Sequence, residues 1–369
     1  MLGRHDILLT MTFLLAFGGC APRGQVVVDP EAAQVGTVET IVVASSRQWV
    51  PEPPYFTSAL ATGITFAAFE VTVPPERKVG TVKNPKPGDP DPERQFLVAG
   101  VQPIANTAGF IRAVNREMAR KGTREAFMFL HGYNTNFAEG LYRQAQLEHD
   151  LKAPGASVHF SWPSRGKTDA YLYDTEAALY SRDAVEKTIV ALSNTRAERI
   201  TLAAHSMGTM LLMDTLRGMA RSDAQGVFDP IDAVVLISPD IDIDIFKEQA
   251  APVIARGVPI YLLVSQTDKA LKISARLRGE RKRLGTIKSA ADLGNMKGVY
   301  VINATDLSGG GFLGHFKEGD SPAFLNYLRG LDARGVDLFD QGPAGGVLGD
   351  SVALVQEGAR IVLSPLTGS

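Results

Sequence analysis

The chain has 369 residues, of which 45% are hydrophobic and 21% charged, and its 38 Lys and Arg residues against 40 Asp and Glu residues give a net charge of −2. This composition is typical of a globular protein and excludes a wholly disordered chain, a collagen-like repeat and a coiled coil. The nearly neutral charge argues against a nucleic-acid partner, and the single cysteine excludes an intramolecular disulfide and a cysteine-based zinc site.

The first 20 residues have the pattern of a secretion signal. Arg4 precedes an uncharged apolar run over residues 7–19, which is too short for a membrane-spanning helix of about 20 residues but fits the core of a signal peptide. The run ends in two glycines directly before Cys20, and this resembles the signal of a bacterial lipoprotein, although Phe17 replaces the usual leucine. An ordinary secretory signal with a chance cysteine is the alternative.

The lipoprotein resemblance implies that the mature chain begins at Cys20 and carries acyl chains there. Several acyl chains anchor a protein firmly, because each buried CH2 contributes about 0.8 kcal/mol. Ala21 follows the cysteine, which by the same resemblance implies the outer membrane of the cell envelope, on the periplasmic side. The residues up to position 36 are small and polar, so we expect a signal peptide over residues 1–19 and a tether over residues 20–36.

Short β-branched runs after the tether predict eight strands. In chain order they cover residues 38–44, 65–73, 126–130, 157–160, 199–204, 232–237, 259–264 and 299–303. The last six are nearly continuous apolar runs, as expected of strands that are buried on both faces of a parallel sheet.

Helical periodicity appears between these strands, over residues 107–121, 137–150, 176–194 and 207–221. This alternation predicts a doubly wound α/β domain with a mostly parallel, eight-stranded sheet and helices on both faces. We expect one such domain over residues 37–330 and a C-terminal tail over residues 331–369, to which the sequence assigns no role.

A serine stands where the fifth predicted strand passes into a helix. In Ala204-His205-Ser206-Met207-Gly208, small residues lie two positions before and two positions after the serine. This is the pattern of a nucleophile elbow, in which a tight strand–turn–helix connection exposes the serine hydroxyl. Ala204 replaces the first glycine of the usual pattern, and a plain strand–helix turn is the alternative interpretation.

The third predicted strand ends in His131-Gly132-Tyr133-Asn134, where an elbow fold places its oxyanion loop. Such a loop aims one backbone N–H group at the developing oxyanion, and the residue after the serine supplies a second. We assign these donors to Tyr133 and Met207 and expect His131 to shape the loop. A glycine turn beside a structural histidine is the alternative.

The general base and its acid partner are expected to follow the serine, because elbow enzymes run in the chain order Ser, acid, His. Of the six histidines only His315 lies C-terminal to Ser206, in a glycine-rich loop. Asp268, directly after the seventh strand, is the favoured acid, and Asp240 and Asp242, after the sixth strand, are alternatives. The Asp240–Asp244 run lacks the glycine and glutamate of an EF-hand loop, so we expect no metal site.

Five motifs in this order and spacing resemble the α/β-hydrolase superfamily, and in particular a bacterial branch whose members lack an assigned substrate. They are HGYN (131–134), SWPS (161–164), AHSMG (204–208), SPDID (238–242) and SQTDKAL (265–271). The resemblance covers about residues 38–330. It implies a serine hydrolase that cleaves carboxylic esters through a Ser206–His315–Asp268 triad and an acyl-enzyme, with no cofactor.

Three other functions remain open. The triad alone does not separate an esterase from a serine peptidase or amidase on the same fold. An anchored enzyme lies beside membrane lipid, so the substrate could be a lipid and the enzyme a lipase, with the basic stretch at residues 276–283 near anionic head groups. The third is a non-catalytic envelope binding protein that has kept the scaffold.

Overall fold

The computed structural model describes residues 23–86, 88–152, 155–222, 226–266, 271, 274–275, 282–294, 296–303, 352–356 and 359–364. Among these residues, no helix combines the length and the apolar character that crossing a membrane requires.

One mixed sheet organises the described chain. Its strands are β1 (Thr37–Trp49), β2 (Phe56–Val73), β3 (Leu97–Ile104), β4 (Glu125–Leu130), β5 (Ala156–Ser161), β6 (Arg199–His205), β7 (Ile231–Ile237), β8 (Ile260–Val264), β9 (Val299–Asn303), β10 (Val352–Gln356) and β11 (Ala359–Ser364). Their order across the sheet is β10-β11-β9-β8-β7-β6-β4-β5-β1-β2-β3. The strands from β9 to β1 run parallel, and antiparallel pairs flank them on both sides.

The doubly wound, mostly parallel sheet predicted from the sequence is confirmed, and all eight predicted strands are present. Three strands that the sequence did not predict, β3, β10 and β11, join them. β3 contains Gly100 and Pro103, residues typical of turns, and among the named strands it pairs with β2 alone. β10 and β11 extend the opposite edge beyond β9.

Six helices connect the strands: α1 (Thr107–Lys121), α2 (Phe137–Leu151), α3 (Tyr171–Tyr180), α4 (Arg182–Ser193), α5 (Met207–Arg221) and α6 (Ile243–Ile254). The bounds of α1 and α5 agree with the prediction. The single helix predicted over residues 176–194 is instead two helices that meet at Ser181. The hydroxyl of Ser181 donates to the Ala177 carbonyl oxygen at 2.7 Å and lies 2.8 Å from Ser46 Oγ on β1. The residue between the two helices is therefore hydrogen-bonded to the sheet.

The helices cover both faces of the sheet. On one face a large apolar core joins the sheet to residues of α1, α3, α4, α5 and α6. On the other face a smaller core, rich in aromatic rings, joins β1 and β2 to α2. Because β1 and β4 to β9 are parallel, their carboxyl ends share one edge, and the loops that leave this edge carry the predicted motifs.

Residues 23–36 lie against the domain, although their composition resembles a tether. The N–H of Gly24 donates to Glu139 Oε1 at 3.0 Å, and the Tyr142 hydroxyl donates to the carbonyl oxygen of Gln25 at 2.9 Å. Val26 is buried in the aromatic core, and Val28 forms a parallel bridge with Val98 of β3. Main-chain bonds and one buried valine therefore fix a segment that polar composition alone does not distinguish from a linker.

Candidate active site

Ser206 occupies a strained turn between β6 and α5. Its φ of +52° and ψ of −123° lie in a region that non-glycine residues rarely adopt, and such strain concentrates at functional sites. The turn is pinned from both sides, since the Ser206 N–H donates to the Ile237 carbonyl oxygen at 3.0 Å and the Ser206 carbonyl oxygen accepts from Thr209 N–H at 3.0 Å. The strand–turn–helix context of a nucleophile elbow is present at this serine.

Two glycines let the neighbouring loop approach the elbow closely. A Cβ on Gly208 would overlap the carbonyl oxygen of His131 and lie 3.0 Å from that of Leu130. A Cβ on Gly132 would lie 2.5 Å from His205 Nδ1 and 3.0 Å from Ser206 Cβ. The backbone after β4 therefore packs directly against the serine, where an oxyanion loop has to lie.

The two residues predicted to supply the oxyanion donors lie on the two elements next to Ser206, the loop after β4 and the start of α5. Met207 is the first residue of α5, so its N–H is one of those for which the helix itself offers no acceptor. Tyr133 follows Gly132 in the loop that packs on the serine, and its hydroxyl donates to the Thr168 carbonyl oxygen. Burial raises the pKa of this hydroxyl to about 12, so it is a neutral, structural group at physiological pH.

His131 is engaged on both sides of its ring. Nδ1 lies 2.9 Å from the Gly132 carbonyl oxygen and Nε2 lies 3.0 Å from the Trp162 carbonyl oxygen. The ring also stacks on the Trp162 indole, with centroids 4.9 Å apart. Burial and then the positive charge of Arg47 hold the pKa of His131 well below its usual range. The lowered pKa keeps the ring neutral, so it has one N–H and donates to one of the two carbonyl oxygens, and its stacking on Trp162 fits a histidine that shapes the loop.

Arg47 of β1 is a buried cation behind this loop, and the sequence reasoning missed it. Its guanidinium contacts five partners. Nε donates to Ser161 Oγ at 2.8 Å, and Nη1 donates to the carbonyl oxygens of Thr57 and Ser164 at 3.3 and 3.0 Å. Nη2 donates to the carbonyl oxygen of Thr135 at 3.0 Å and lies 3.4 Å from His131 Nε2. Burial lowers its pKa to about 9, which leaves it charged at neutral pH. The one signal in the sequence is a charged residue inside an otherwise buried strand.

Asp174 of α3 supplies the matching negative charge. Its Oδ2 accepts from Ser164 Oγ at 2.5 Å and from the Asn134 N–H at 3.2 Å, and its Oδ1 accepts from the Arg165 N–H at 2.9 Å. Asp174 is fully buried, and buried charges need such partners. Arg47 and Asp174 thus hold the HGYN and SWPS loops from two sides.

Asp240, one of the two alternative acids, lies close to the elbow but is fully engaged. Its N–H donates to the Ser206 carbonyl oxygen at 3.4 Å. Its carboxylate accepts from Ser274 Oγ at 2.7 and 2.8 Å and from the Tyr171 hydroxyl at 3.1 Å, and it forms an ion pair with Arg283 at 3.0 Å. Asp240 and Arg283 are both 3% exposed, so this pair fixes the loop after β7.

The same loop contains a second strained serine and a helix cap. Ser238, directly after β7, has a φ of +44°, and its N–H donates to the Leu263 carbonyl oxygen at 2.9 Å. Asp242, the other alternative acid, caps α6: its Oδ1 accepts from the N–H groups of Asp244 and Ile245 at 3.0 and 3.3 Å. The Asp242 carboxylate therefore has a structural partner at the helix N-terminus.

The structure brings Ser206, Met207, Tyr133 and Asp240 together at the carboxyl edge of the sheet. Cys20, Asp268 and His315 lie outside the described residues. Within the described part of the chain, no group of three or more His, Cys, Asp or Glu side chains could hold a metal ion.

A cleft of about 450 Å³ lies at the opposite edge, around the amino ends of β7, β8 and β9. It is lined by Glu198, Asp229, Pro230, Ile231, Asp232, Ile254, Gly257, Val258, Pro259, Tyr261, Gly298 and Tyr300. No Ser, Thr, Cys, His or Lys is among these lining residues. Since ligands of open α/β sheets bind at the carboxyl ends of the strands, Ser206 and its loops define the better candidate site.

A doubly wound sheet with a strained serine between strand and helix defines an α/β hydrolase. The chain belongs to the family described as "Alpha/beta hydrolase of unknown function (DUF900)", whose model matches residues 107–331. The match begins at α1, so β1, β2 and β3 precede it. The expected superfamily is thereby confirmed. A comparison with curated proteins gives no match.

Solved structures of esterases are similar to the chain at low identity. Esterase B from Lactobacillus rhamnosis is 15% identical over 58% of this chain and 78% of its own, with a TM-score of 0.34. An esterase from Pyrobaculum calidifontis is 14% identical over 58% and 77%, with a TM-score of 0.30. Esterase 2 from Thermogutta terrifontis with propionate bound is 11% identical over 73% and 88%, with a TM-score of 0.31.

Proposed function

We propose that the protein is a serine hydrolase that cleaves carboxylic esters, with Ser206 as the nucleophile. The observation that carries this proposal is the strained backbone of Ser206 between β6 and α5, with the Gly132 loop packed against its Cβ. A positive φ at a buried serine costs folding free energy, and the family to which the chain belongs is one of α/β hydrolases.

The proposed reaction passes through an acyl-enzyme. His315 accepts the proton of the Ser206 hydroxyl as the oxygen attacks the ester carbonyl, and Asp268 orients the imidazole and stabilises its charged form. The N–H groups of Tyr133 and Met207 bind the oxyanion, each contributing about 3–4 kcal/mol to transition-state stabilisation in comparable sites. The alcohol leaves with the proton from His315, and water then hydrolyses the acyl-enzyme. No cofactor takes part in this scheme.

The contacts of the alternative acids support Asp268 as the acid. Asp240 is bound to Tyr171, Ser274 and Arg283, and Asp242 caps α6. A carboxylate that accepts from two hydroxyls and is paired with a buried guanidinium is poorly placed to orient a histidine.

We further propose that Cys20 carries a lipid anchor and that the protein lies in the cell envelope, at the outer membrane and facing the periplasm. The sequence of residues 1–20 supports this proposal through its resemblance to a lipoprotein signal. The substrate is then an acyl ester within reach of that membrane.

Labelling with a fluorophosphonate probe tests the nucleophile, and ester turnover tests the rest of the triad. We expect the wild type to label and Ser206→Ala to stay unlabelled. We expect His315→Ala and Asp268→Asn to lower kcat/KM by at least about a thousandfold, while Asp240→Asn, which keeps the shape of the side chain, lowers it much less.

A panel of esters and peptide amides separates the remaining alternatives. Faster turnover of amides than of matched esters would favour a peptidase or amidase. Wild-type protein that neither labels nor turns over any acyl substrate would contradict the hydrolase proposal and favour a binding protein.

A further inference from the structure

Arg23, in the N-terminal segment, is bound to the loop that carries Asn134. Arg23 Nη1 donates to Asn134 Oδ1 at 3.0 Å and Nη2 donates to the Asn134 carbonyl oxygen at 2.9 Å, while an ion pair of 2.5 Å joins Nη2 to Glu139. Gly24 continues this attachment, since it bonds to Glu139 and accepts from Asn136 Nδ2 at 2.8 Å. The N-terminal segment therefore reaches the domain at the carboxyl edge of the sheet, beside the candidate active site.

This attachment limits how far the proposed lipid anchor can lie from the site. Three peptide links separate Cys20 from Arg23, and three residues span at most roughly 11 Å in any conformation. Acyl chains on Cys20 would therefore enter the bilayer close to the Asn134 loop. A long tether would let the domain rotate freely over the membrane, whereas so short a connection brings the carboxyl edge of the sheet to it.

An exposed apolar surface lies at the same edge. It consists of Leu172, Leu179 and Tyr180 of α3 and Leu60 of β2, which are 80, 44, 49 and 43% exposed. The Tyr180 hydroxyl donates to the Ala61 carbonyl oxygen at 2.8 Å, which joins the helix to the strand beside it. A side chain as exposed as Leu172 contributes almost no apolar burial to the stability of the fold, and grouped exposed apolar residues mark interaction sites.

Two contacts connect this apolar surface to the candidate active site. The ring of Tyr171, the residue before Leu172, packs edge-on against the Tyr133 ring with centroids 5.3 Å apart. The Asp174 carboxylate, two residues after Leu172, accepts from the N–H of Asn134. The helix that presents the apolar surface is thus the helix that holds the oxyanion loop.

The charges around the apolar surface nearly cancel. Arg165 and Lys167 precede α3 and are exposed, as is Asp169, and exposed Glu176 lies on the face of α3 that carries Leu172 and Tyr180, four residues from each. Arg165 also stacks on the Tyr173 ring, with 3.8 Å between its guanidinium carbon and the ring centroid. Contact with a bilayer would therefore rest on apolar burial and depend little on salt or on the fraction of anionic lipid.

We propose that the apolar surface docks on the bilayer in which Cys20 is anchored, and that the ester substrate is an acyl lipid taken from that bilayer. The substrate part of this inference rests on the proposed hydrolase function and on the proposed anchor. The docking part rests on the proposed anchor as well, and its observations are the position of Arg23 and the exposure of Leu172. A membrane is the occupant that the three-residue connection to Cys20 favours over a second copy of the chain.

A pair of single-cysteine labels measures the docking directly. Because acylated Cys20 has no free thiol, Leu172→Cys and Val35→Cys each add one labelling site to the full chain. Val35 is the matched control, since it is 38% exposed and lies just before β1, at the opposite edge of the sheet. Each variant carries a nitrobenzoxadiazole label and is reconstituted, acylated, in vesicles of phosphatidylethanolamine with a minor fraction of phosphatidylglycerol.

We expect dithionite to reduce the label at position 172 at least about fivefold more slowly than the label at position 35, since a side chain below the head groups is out of reach of a water-borne anion. Equal rates at the two positions would overturn the docking. Protection of position 172 in detergent that grows with protein concentration would overturn it too, because a second copy would then cover the surface.

The lipid substrate is tested by hydrolysis of the vesicle phospholipid beside that of soluble p-nitrophenyl butyrate. We expect Leu172→Asp to slow phospholipid hydrolysis by about tenfold and to leave butyrate turnover unchanged, with Val35→Asp changing neither. Equal phospholipid hydrolysis by wild type and Leu172→Asp would overturn this inference while butyrate turnover kept the hydrolase proposal intact. Wild-type protein that neither labels with the fluorophosphonate nor hydrolyses butyrate would contradict the hydrolase proposal instead.

Discussion

At the scale of single residues, Arg47 links the sheet to the loop that forms the candidate oxyanion hole. The side chain donates to backbone carbonyls on both loops, at Ser164 and Thr135, and touches the His131 ring. Because the peptide unit is planar, a hydrogen bond that holds a carbonyl oxygen also holds the N–H group of the next residue. A cation is suited to this position, because its fork of five N–H donors reaches several acceptors at once and keeps its charge when buried.

We predict that Arg47→Lys lowers kcat by about tenfold to a hundredfold and changes KM by less than about twofold. The lysine keeps the charge but cannot reproduce the fork, so we expect the proposed oxyanion donor on this loop to shift, while groups that bind the rest of the substrate stay in place. Arg94→Lys is the control, because Arg94 is 56% exposed and lies in a surface ion pair. Steady-state kinetics on a soluble ester separate an effect on kcat from an effect on KM. An increase in KM with unchanged kcat would show that Arg47 contributes to substrate binding instead.

At the scale of elements, the turn from β6 into α5 depends on close approach of the loop after β4. Gly208 of α5 faces the carbonyl oxygen of His131, where a Cβ would overlap it. Gly218 lies in the same helix, and a Cβ there would meet no atom within 4 Å. One helix therefore offers the same substitution in a tight and in an open environment.

We predict that Gly208→Ala destabilises the protein by about 1–3 kcal/mol through overpacking and lowers kcat/KM by about a hundredfold, because the helix and the proposed oxyanion loop move apart. Gly218→Ala should stabilise it by up to about 1 kcal/mol, since alanine is the better helix former, with full activity. Urea unfolding and ester turnover of both variants test this pair. Equal stability and equal ester turnover of the two variants would show that close packing of the loop on Gly208 is not required for stability or activity.

The same elements show what a sequence can reveal. The elbow is readable from residues 204–208 because strand, turn and helix impose their constraints over five adjacent positions, and α5 begins at Met207 as predicted. The parallel strands are readable because burial on both faces requires continuous apolar runs. Arg47 and Asp174 come from β1 and α3 and meet the loop only after folding, so no spacing in the sequence pairs them. The attachment of residues 23–28 combines the Arg23 side chain with main-chain bonds at Gly24 and Gln25, and main-chain bonds leave little trace in composition.

At the scale of the whole molecule, three buried ionisable groups around α2 make stability depend on pH in opposing ways. Burial and then the charge of Arg47 lower the pKa of His159 to about 3, and the same two causes lower that of His131. Burial raises the pKa of Glu148 to about 7, although Lys121 opposes this shift. His159 and Glu148 are 0 and 2% exposed, so solvent screens them little.

The signs follow from comparing the folded and unfolded chains. As the pH falls below about 6.5, histidines bind protons in the unfolded chain but not in the folded protein, where the buried rings stay neutral. Each of the two histidines therefore lowers the free energy of unfolding as the pH falls. Glu148 acts the other way: between about pH 4.3 and 7 the folded carboxyl holds a proton that the unfolded one releases, so its contribution grows toward acid and is lost as the pH rises through 7. Each proton is worth about 1.4 kcal/mol per pH unit.

We predict that His159→Gln and Glu148→Gln change the pH dependence of stability in opposite directions between pH 6 and pH 5. Removing His159 should reduce the loss of unfolding free energy on acidification by about 1 kcal/mol relative to the wild type, and removing Glu148 should increase it by a similar amount. Urea unfolding at both pH values measures this, and each variant is its own control, because packing defects lower its stability equally at both. Parallel curves for the three proteins would show that both groups titrate in the folded protein as they do in the unfolded chain.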